Sequence, residues 1–313
     1  MEAHLRVEPM RGPKLAGDEY WNRIGSGIEG ISRRMLLCGL AGLVPAAALD
    51  SGFSFGLTPV VLDGDMRLRV LLQRFLMRQL ERPAVVVDRR SQRETAEMLL
   101  SGRLDAAWIC DLAYVQNKEA LTPLAVPLYN GKPFYETYII VNETSAARTF
   151  DDVRGTQHAF SDPDSASGYL ITSWLLGLRH ESPASFFRNF FFTYGDRNTI
   201  RAVGAGLAES GSIAGYIWEI TKQREPDLVN KTRVVFRSEP LGFPPVTVLT
   251  SSVDRPEIQA LGAALIGMNS GRLGPEILSV LGLDGFTTPG PGLYENIAEK
   301  WRFARTKQVS VQN

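Results

Sequence analysis

The segment Ser161-Asp162-Pro163-Asp164-Ser165-Ala166-Ser167-Gly168-Tyr169 holds the residues of this chain best suited to chemistry. Two hydroxyls and a glycine stand where an apolar stretch, Tyr169 to Leu178, predicts a helix. The first turn of a helix has unpaired backbone N–H groups and a partial positive charge. Small hydroxyl residues and Gly let an oxyanion approach those donors closely. The same residues would also make an ordinary Ser N-cap. On the local sequence alone, both readings stand.

Other chemistry is sparse. Three His occur (His4, His158, His180), none paired at metal-ligand spacing, so no metal site and no cofactor is expected. No Ser-His-Asp set or pair of catalytic carboxylates stands out, which argues against an enzyme. Thr58 follows a predicted strand, at the carboxyl end where ligands bind in open α/β sheets. It is equally a turn residue before Pro59. Cys110 ends another predicted strand. Its sulfur would favour a soft ligand such as trivalent arsenic, or it is a buried small hydrophobe. Tyr114 and Tyr135 can offer hydroxyls to an oxyanion, or serve as core aromatics with one polar tip.

The elements that must position these residues alternate from Phe53 onward. Strands are predicted at Phe53–Leu57, Ala84–Val87, Ala106–Cys110, Phe134–Val141, Gln157–Phe160, Phe190–Tyr194, Thr232–Phe236 and Pro244–Leu249. Helices are predicted over Met66–Leu80, from Ser91 to Leu100, from Asp111 through Tyr114, and over Arg197–Ala208. Three more follow around Ile258–Met268, Pro275–Leu281 and Tyr294–Phe303. In the first helix Leu68, Leu71, Leu72, Phe75 and Leu76 share one face. Ser91 and Glu94 have capping-box spacing. The β-α-β-α order predicts an α/β fold whose sheets are mostly parallel and flanked by helices.

The 313 residues carry 34 basic and 34 acidic side chains, so there is no electrostatic case for nucleic acid. Residues 1–48 read as an export signal rather than as fold. Arg33-Arg34 precedes an apolar run to Val44 and the small residues Ala46-Ala47-Ala48, a twin-arginine pattern. The run is shorter than the ~20 residues a membrane span needs. Cleavage after Ala48 would place the mature protein in the periplasm with 28 basic and 29 acidic residues. It would keep Cys110 but not Cys38, leaving no internal disulfide.

An ordered set of words extends the reading: FGLTPV (Phe55–Val60), LDAAWIC (Leu104–Cys110), FYETYIIV (Phe134–Val141), DDVRG (Asp151–Gly155), SDPDSASGY (Ser161–Tyr169), RAVGAGLA (Arg201–Ala208) and GYIWE (Gly215–Glu219). In these the chain resembles the PhnD-like periplasmic binding proteins for phosphate, phosphite and phosphonate. The resemblance covers roughly Phe53 to Met268 and implies a type II two-lobe α/β clamp. Lobe one would hold residues 53–141 and 246–313, and lobe two residues 142–245. The chain would cross between lobes near Ile139–Asn142 and return over Gly242–Val246.

The resemblance further implies a monomer that binds a small oxyanion and serves an ABC permease in the inner membrane. An arsenite- or oxyanion-sensing group within the family implies the alternative, a partner sensor kinase. Ser165, Ser167 and Gly168 carry over from the family's anion-binding word. Asp196 stands where relatives often carry His, and Ala214 or its neighbour where they often carry an acid. Asp196 has a ready role as a helix N-cap. Aimed into the cleft, it would repel an anion unless Arg197 screened it or the ligand kept a proton. Loss of the acid predicts poor binding of aminoalkyl phosphonates.

Overall fold

The computed structural model describes residues 52–58, 66–89 and 91–311. The expected export signal lies outside the described residues. In chain order the strands are β1 (Phe53–Leu57), β2 (Ala84–Asp88), β3 (Ala106–Trp108), β4 (Leu121–Leu128), β5 (Phe134–Tyr135), β6 (Thr137–Asn142) and β7 (Gln157–Phe160). They continue with β8 (Asn189–Phe192), β9 (Ser210–Ala214), β10 (Thr232–Arg237), β11 (Leu241–Gly242), β12 (Val246–Leu249) and β13 (Gly285–Thr287).

Two larger sheets and a ribbon result. The first sheet has six strands in the order β13-β4-β12-β3-β1-β2, and the second has five in the order β10-β6-β9-β7-β8. β1 is parallel to β2 and β3, joined through the helices Met66–Gln79 and Gln92–Leu100. Such crossovers are what parallel strands require. β12 returns antiparallel to both β3 and β4, and β13 is antiparallel to β4. The second sheet divides in the same way. β7 is parallel to β8 and β9, whereas β6 runs antiparallel to β9 and β10. The sheets are therefore mixed rather than mostly parallel, because strands entering from the other sheet run against the βαβ units.

The helix Met66–Gln79 buries Leu68, Leu71, Leu72, Phe75 and Leu76, the five residues that its 3.6-residue period selects. Each such burial contributes roughly 1.5–3 kcal/mol. Ser91 caps the next helix by accepting the Glu94 N–H at 3.2 Å.

The predicted strand Phe134–Val141 is two strands in two places. β5 pairs antiparallel with β11 in the ribbon, while β6 joins the second sheet. The outbound crossing thus falls at Glu136, earlier than Ile139–Asn142, and the return passes through β11. Between the sheets the packing is continuous and apolar. Leu170, Ile171, Tyr216 and Ile217 from the second half share one core with Tyr135, Phe243, Leu281 and Tyr294 from the first. The helix Glu295–Val311 spans that junction. Phe303 lies against Gly177, and the Lys300 ammonium sits 4.4 Å from the Trp174 ring centre.

Candidate functional site

The cradle is built where β7 ends. Phe160 closes the strand, Ser161 to Ser165 form a loop, and a π-helical turn, Ala166–Leu170, runs into the helix Ile171–Gly177. Ser165 is the N-cap, with Oγ accepting the Gly168 N–H at 2.9 Å. The cap reading is therefore correct. The Ser165 and Ser167 hydroxyls lie 3.4 Å apart, and both residues are buried. The Leu170 N–H reaches back to the Ser165 carbonyl at 3.1 Å, which gives the first turn its wider π form.

Gly168 is required by close approach. A Cβ there would lie 1.9 Å from Ser161 Oγ and 3.0 Å from Ser165 Oγ. Ser161 is buried, and its hydroxyl makes no hydrogen bond of acceptable geometry. It lies near enough to Asp196 to favour that carboxylate slightly.

The first sheet presents a wall to this cradle. β1 and β3 are neighbours in parallel register, with Leu57 opposite Trp108, so Thr58 and Cys110 emerge at the same sheet end. Both are buried. Cys110 Sγ lies 3.0 Å from Asp111 Oδ1 and 3.6 Å from the Asp164 carbonyl. The Ala166 N–H also points to the sulfur. Burial, then the neighbouring Asp111, pushes the thiol well up from its ordinary pKa. Asp111 is fully buried, and its carboxylate accepts the Leu112 N–H at 2.8 Å and the Tyr135 hydroxyl at 2.6 Å. Burial raises its pKa, while Cys110, Tyr135 and Leu112 ease the shift. Tyr135 is raised well above its usual value by burial and by Asp111, and the Ser167 hydroxyl opposes that rise. A polar chain thus runs from Asp111 at a helix start, through Tyr135 in the ribbon, to Ser167 in the π-helical turn.

Asp196 is not the N-cap; Gly195 holds that position. Asp196 lies in the first helical turn, and its Oδ1 accepts the Ala214 N–H at 3.1 Å, because β9 ends beside this helix. Burial raises its pKa to about 6. Asp162 is buried as well and also raised to about 6, and its Oδ1 accepts the Asp164 N–H at 2.8 Å. Arg197 follows Asp196 in this helix. Its guanidinium grips Glu225, with Nε 2.8 Å from Oε1. Tyr114 is half-buried and packs edge-on against Tyr294, with ring centres 4.8 Å apart. The structure brings Cys110, Tyr135, Ser165 and Ser167 together; it leaves Arg197 with another partner.

Two residues escaped sequence reasoning. Asp111 reads as an ordinary acidic helix start, and Ser161 as a loop residue. The only signal for Asp111 was its place next to Cys110 at a strand end. Nothing local marks Ser161. Arg93 marks the rim, where Nη2 and Nε meet Asp164 Oδ1 and Oδ2 at 2.8 and 3.0 Å. Among the described residues there is no cluster of ligands able to hold a metal ion. Also among these, no helix is long and apolar enough to cross a membrane.

The family model for the periplasmic substrate-binding protein of phosphonate ABC transporters matches residues 55–294. The fold is similar to that of PhnD1 from Prochlorococcus marinus in complex with methylphosphonate, at 16% identity and a TM-score of 0.70, covering 80% of this chain and 97% of that one. It is similar to a binding-protein component of a phosphonate ABC transporter from Pseudomonas aeruginosa, at 14% identity and a TM-score of 0.74, covering 82% and 88%. A histidine kinase sensor domain with similarity to periplasmic binding proteins shares the fold at 14% identity and a TM-score of 0.52, covering 76% and 98%.

Proposed function

The chain belongs to the family of periplasmic substrate-binding proteins of phosphonate ABC transporters, and from that premise we propose that it closes on a phosphonate-class oxyanion held by Ser165, Ser167 and Gly168. The family is one of binding proteins, not enzymes. The observation that carries the reading is the buried hydroxyl pair at a helix start, facing the end of the opposite sheet. Backbone donors at such a start favour negative charge.

The two sheets would be the cores of two lobes, with the expected boundary at 141 moved back to 136 because β6 pairs in the second sheet: residues 53–135 with 246–313, and residues 136–245. The paired strands β5 and β11 lie where both crossings occur and suit a hinge. Thr58, Cys110 and Tyr135 would face the ligand from lobe one, with Tyr114 at the edge. Asp196 would act from behind the cradle. Residues 1–48 would direct export by the twin-arginine route, and the mature monomer would deliver its ligand to an ABC permease.

One observation favours a second reading, an oxyanion or arsenite sensor subunit signalling to a membrane kinase. The Cys110 thiol stands in the wall, at the Ala166 N–H. A soft sulfur suits a soft ligand. A thermal-shift panel of methylphosphonate, phosphite, phosphate, sulfate and arsenite tests both, because a ligand that binds only the folded state raises Tm. Shifts by the phosphorus oxyanions support uptake. An arsenite shift lost in Cys110→Ser supports sensing. No shift with any of them contradicts both.

A further inference from the structure

The wall opposite the cradle has a definite hydrogen-bond polarity. The Tyr135 hydroxyl has one proton, and it is committed to Asp111 at 2.6 Å. The phenol oxygen therefore turns lone pairs, not a donor, toward Ser167. Asp111 itself is acceptor-only when ionised. The Cys110 thiol also spends its proton on Asp111, at 3.0 Å. The expectation that Tyr135 donates to an oxyanion consequently reverses.

Two described cations around the cradle have acidic partners. Arg93 faces Asp164 at the rim, and Arg197 is held by Glu225. His158 lies between the Ser210 and Ser212 hydroxyls, 2.8 Å from each. Burial lowers its pKa to about 3, so it is neutral. The other titratable groups around the wall are acids or phenols. Tyr294 couples to Asp111 from the C-terminal segment, and Tyr114 lies on the Asp111 helix beside Glu295. Asp164, Asp162 and Asp196 come from the cradle side. Ser161 adds a buried hydroxyl beside Gly168, close to the Asp196 carboxylate.

A fully ionised tetrahedral anion offers only acceptors. Against this wall its oxygens would meet lone pairs, and burying acceptors against each other without a donor is costly. An oxyacid that keeps one O–H satisfies both sides. Its ionised oxygens take the cradle's donors, and its O–H donates to the wall. We propose that the site selects the singly protonated form of its ligand, with the Tyr135 oxygen, its own proton held by Asp111, as the acceptor that reads the remaining proton. The proposal rests on the phosphonate-class reading and narrows it to monoanions.

The test is isothermal titration of the mature protein with methylphosphonate from pH 5.5 to 8.5, with sulfate and 2-aminoethylphosphonate alongside. The expected affinity for methylphosphonate falls about tenfold per pH unit above the ligand's second pKa, the limit for one required proton. Sulfate should give no heat. Asp111→Asn, which replaces an acceptor oxygen by an N–H donor, should flatten that slope and admit sulfate. The slope of the wild-type protein decides the matter if the variant fails to fold. Affinity for methylphosphonate that is constant or rises with pH overturns the proposal alone. So does comparable sulfate binding. Tight, pH-independent binding of 2-aminoethylphosphonate would assign that acceptor to an ammonium group and overturn it too. No methylphosphonate binding at any pH removes the phosphonate reading and the proposal with it.

Discussion

Gly168→Ala is the most direct probe of how the cradle is built. The new methyl would fall 1.9 Å from Ser161 Oγ, inside any contact distance, and 3.0 Å from Ser165 Oγ. Relief requires both hydroxyls to move. Overpacking of this kind costs about 1–3 kcal/mol. Displacing Ser165 from the Gly168 N–H forfeits a cap, about 1 kcal/mol more. The lower entropy of Ala in the unfolded chain offsets about 0.4–1 kcal/mol. The net loss is roughly 1–3.5 kcal/mol, or a Tm lowered on the order of 2–7 °C for a chain of this size. Thermal unfolding followed by circular dichroism measures it. The cause is separable, because Ser161→Ala removes the clashing oxygen and leaves its Cβ at 3.1 Å. The double variant should recover most of the loss, a coupling above about 1 kcal/mol in the mutant cycle. A Gly168→Ala protein with wild-type Tm, or additive effects in the cycle, would refute the reasoning.

Two further outcomes follow from charge. Asp196 is raised from 3.8 to about 6 in the folded protein, so the native state binds a proton that the unfolded chain has released. Its contribution is favourable below pH 3.8 and is lost as pH rises through about 6. Relative to Asp196→Asn, the wild-type protein should therefore lose about 3 kcal/mol of stability across that window, read by urea unfolding at several pH values; a constant difference would contradict it. The Arg93–Asp164 pair is bidentate but largely exposed on the arginine side. Arg93→Ala should cost less than about 1 kcal/mol, and the deficit should shrink in high salt; a larger, salt-insensitive loss in a melting series would mean that the pair does more than bridge the rim.

The sequence was most legible where one period or one cap decides the structure. The burial face of Met66–Gln79 follows from its leucine spacing, and the Ser91 cap from its Glu94 partner. It was least legible where tertiary contacts decide. β4 and β9 carry Pro, Gly and Ser residues that hide a strand, yet sheet pairing on both sides holds them extended. Phe134–Val141 is one extended stretch by propensity, and only its pairing partners divide it. At the site, Ser165, Ser167 and Gly168 were visible because a helix start has local chemistry. The Asp111–Tyr135 pair joins residues 24 apart in sequence, and no local signal encodes it.

The central claim is that a phosphonate-class oxyanion sits on the Ser165 and Ser167 hydroxyls. Calorimetric titration of methylphosphonate into the wild-type protein and the Ser165→Ala/Ser167→Ala variant tests it most directly. Hydrogen bonds to a charged group contribute about 1.5–3 kcal/mol each, so losing two should weaken binding by roughly 100-fold or more. Binding by the wild-type protein and its loss in a variant that still melts cooperatively is the predicted result. Equal affinity in the two proteins would contradict the account.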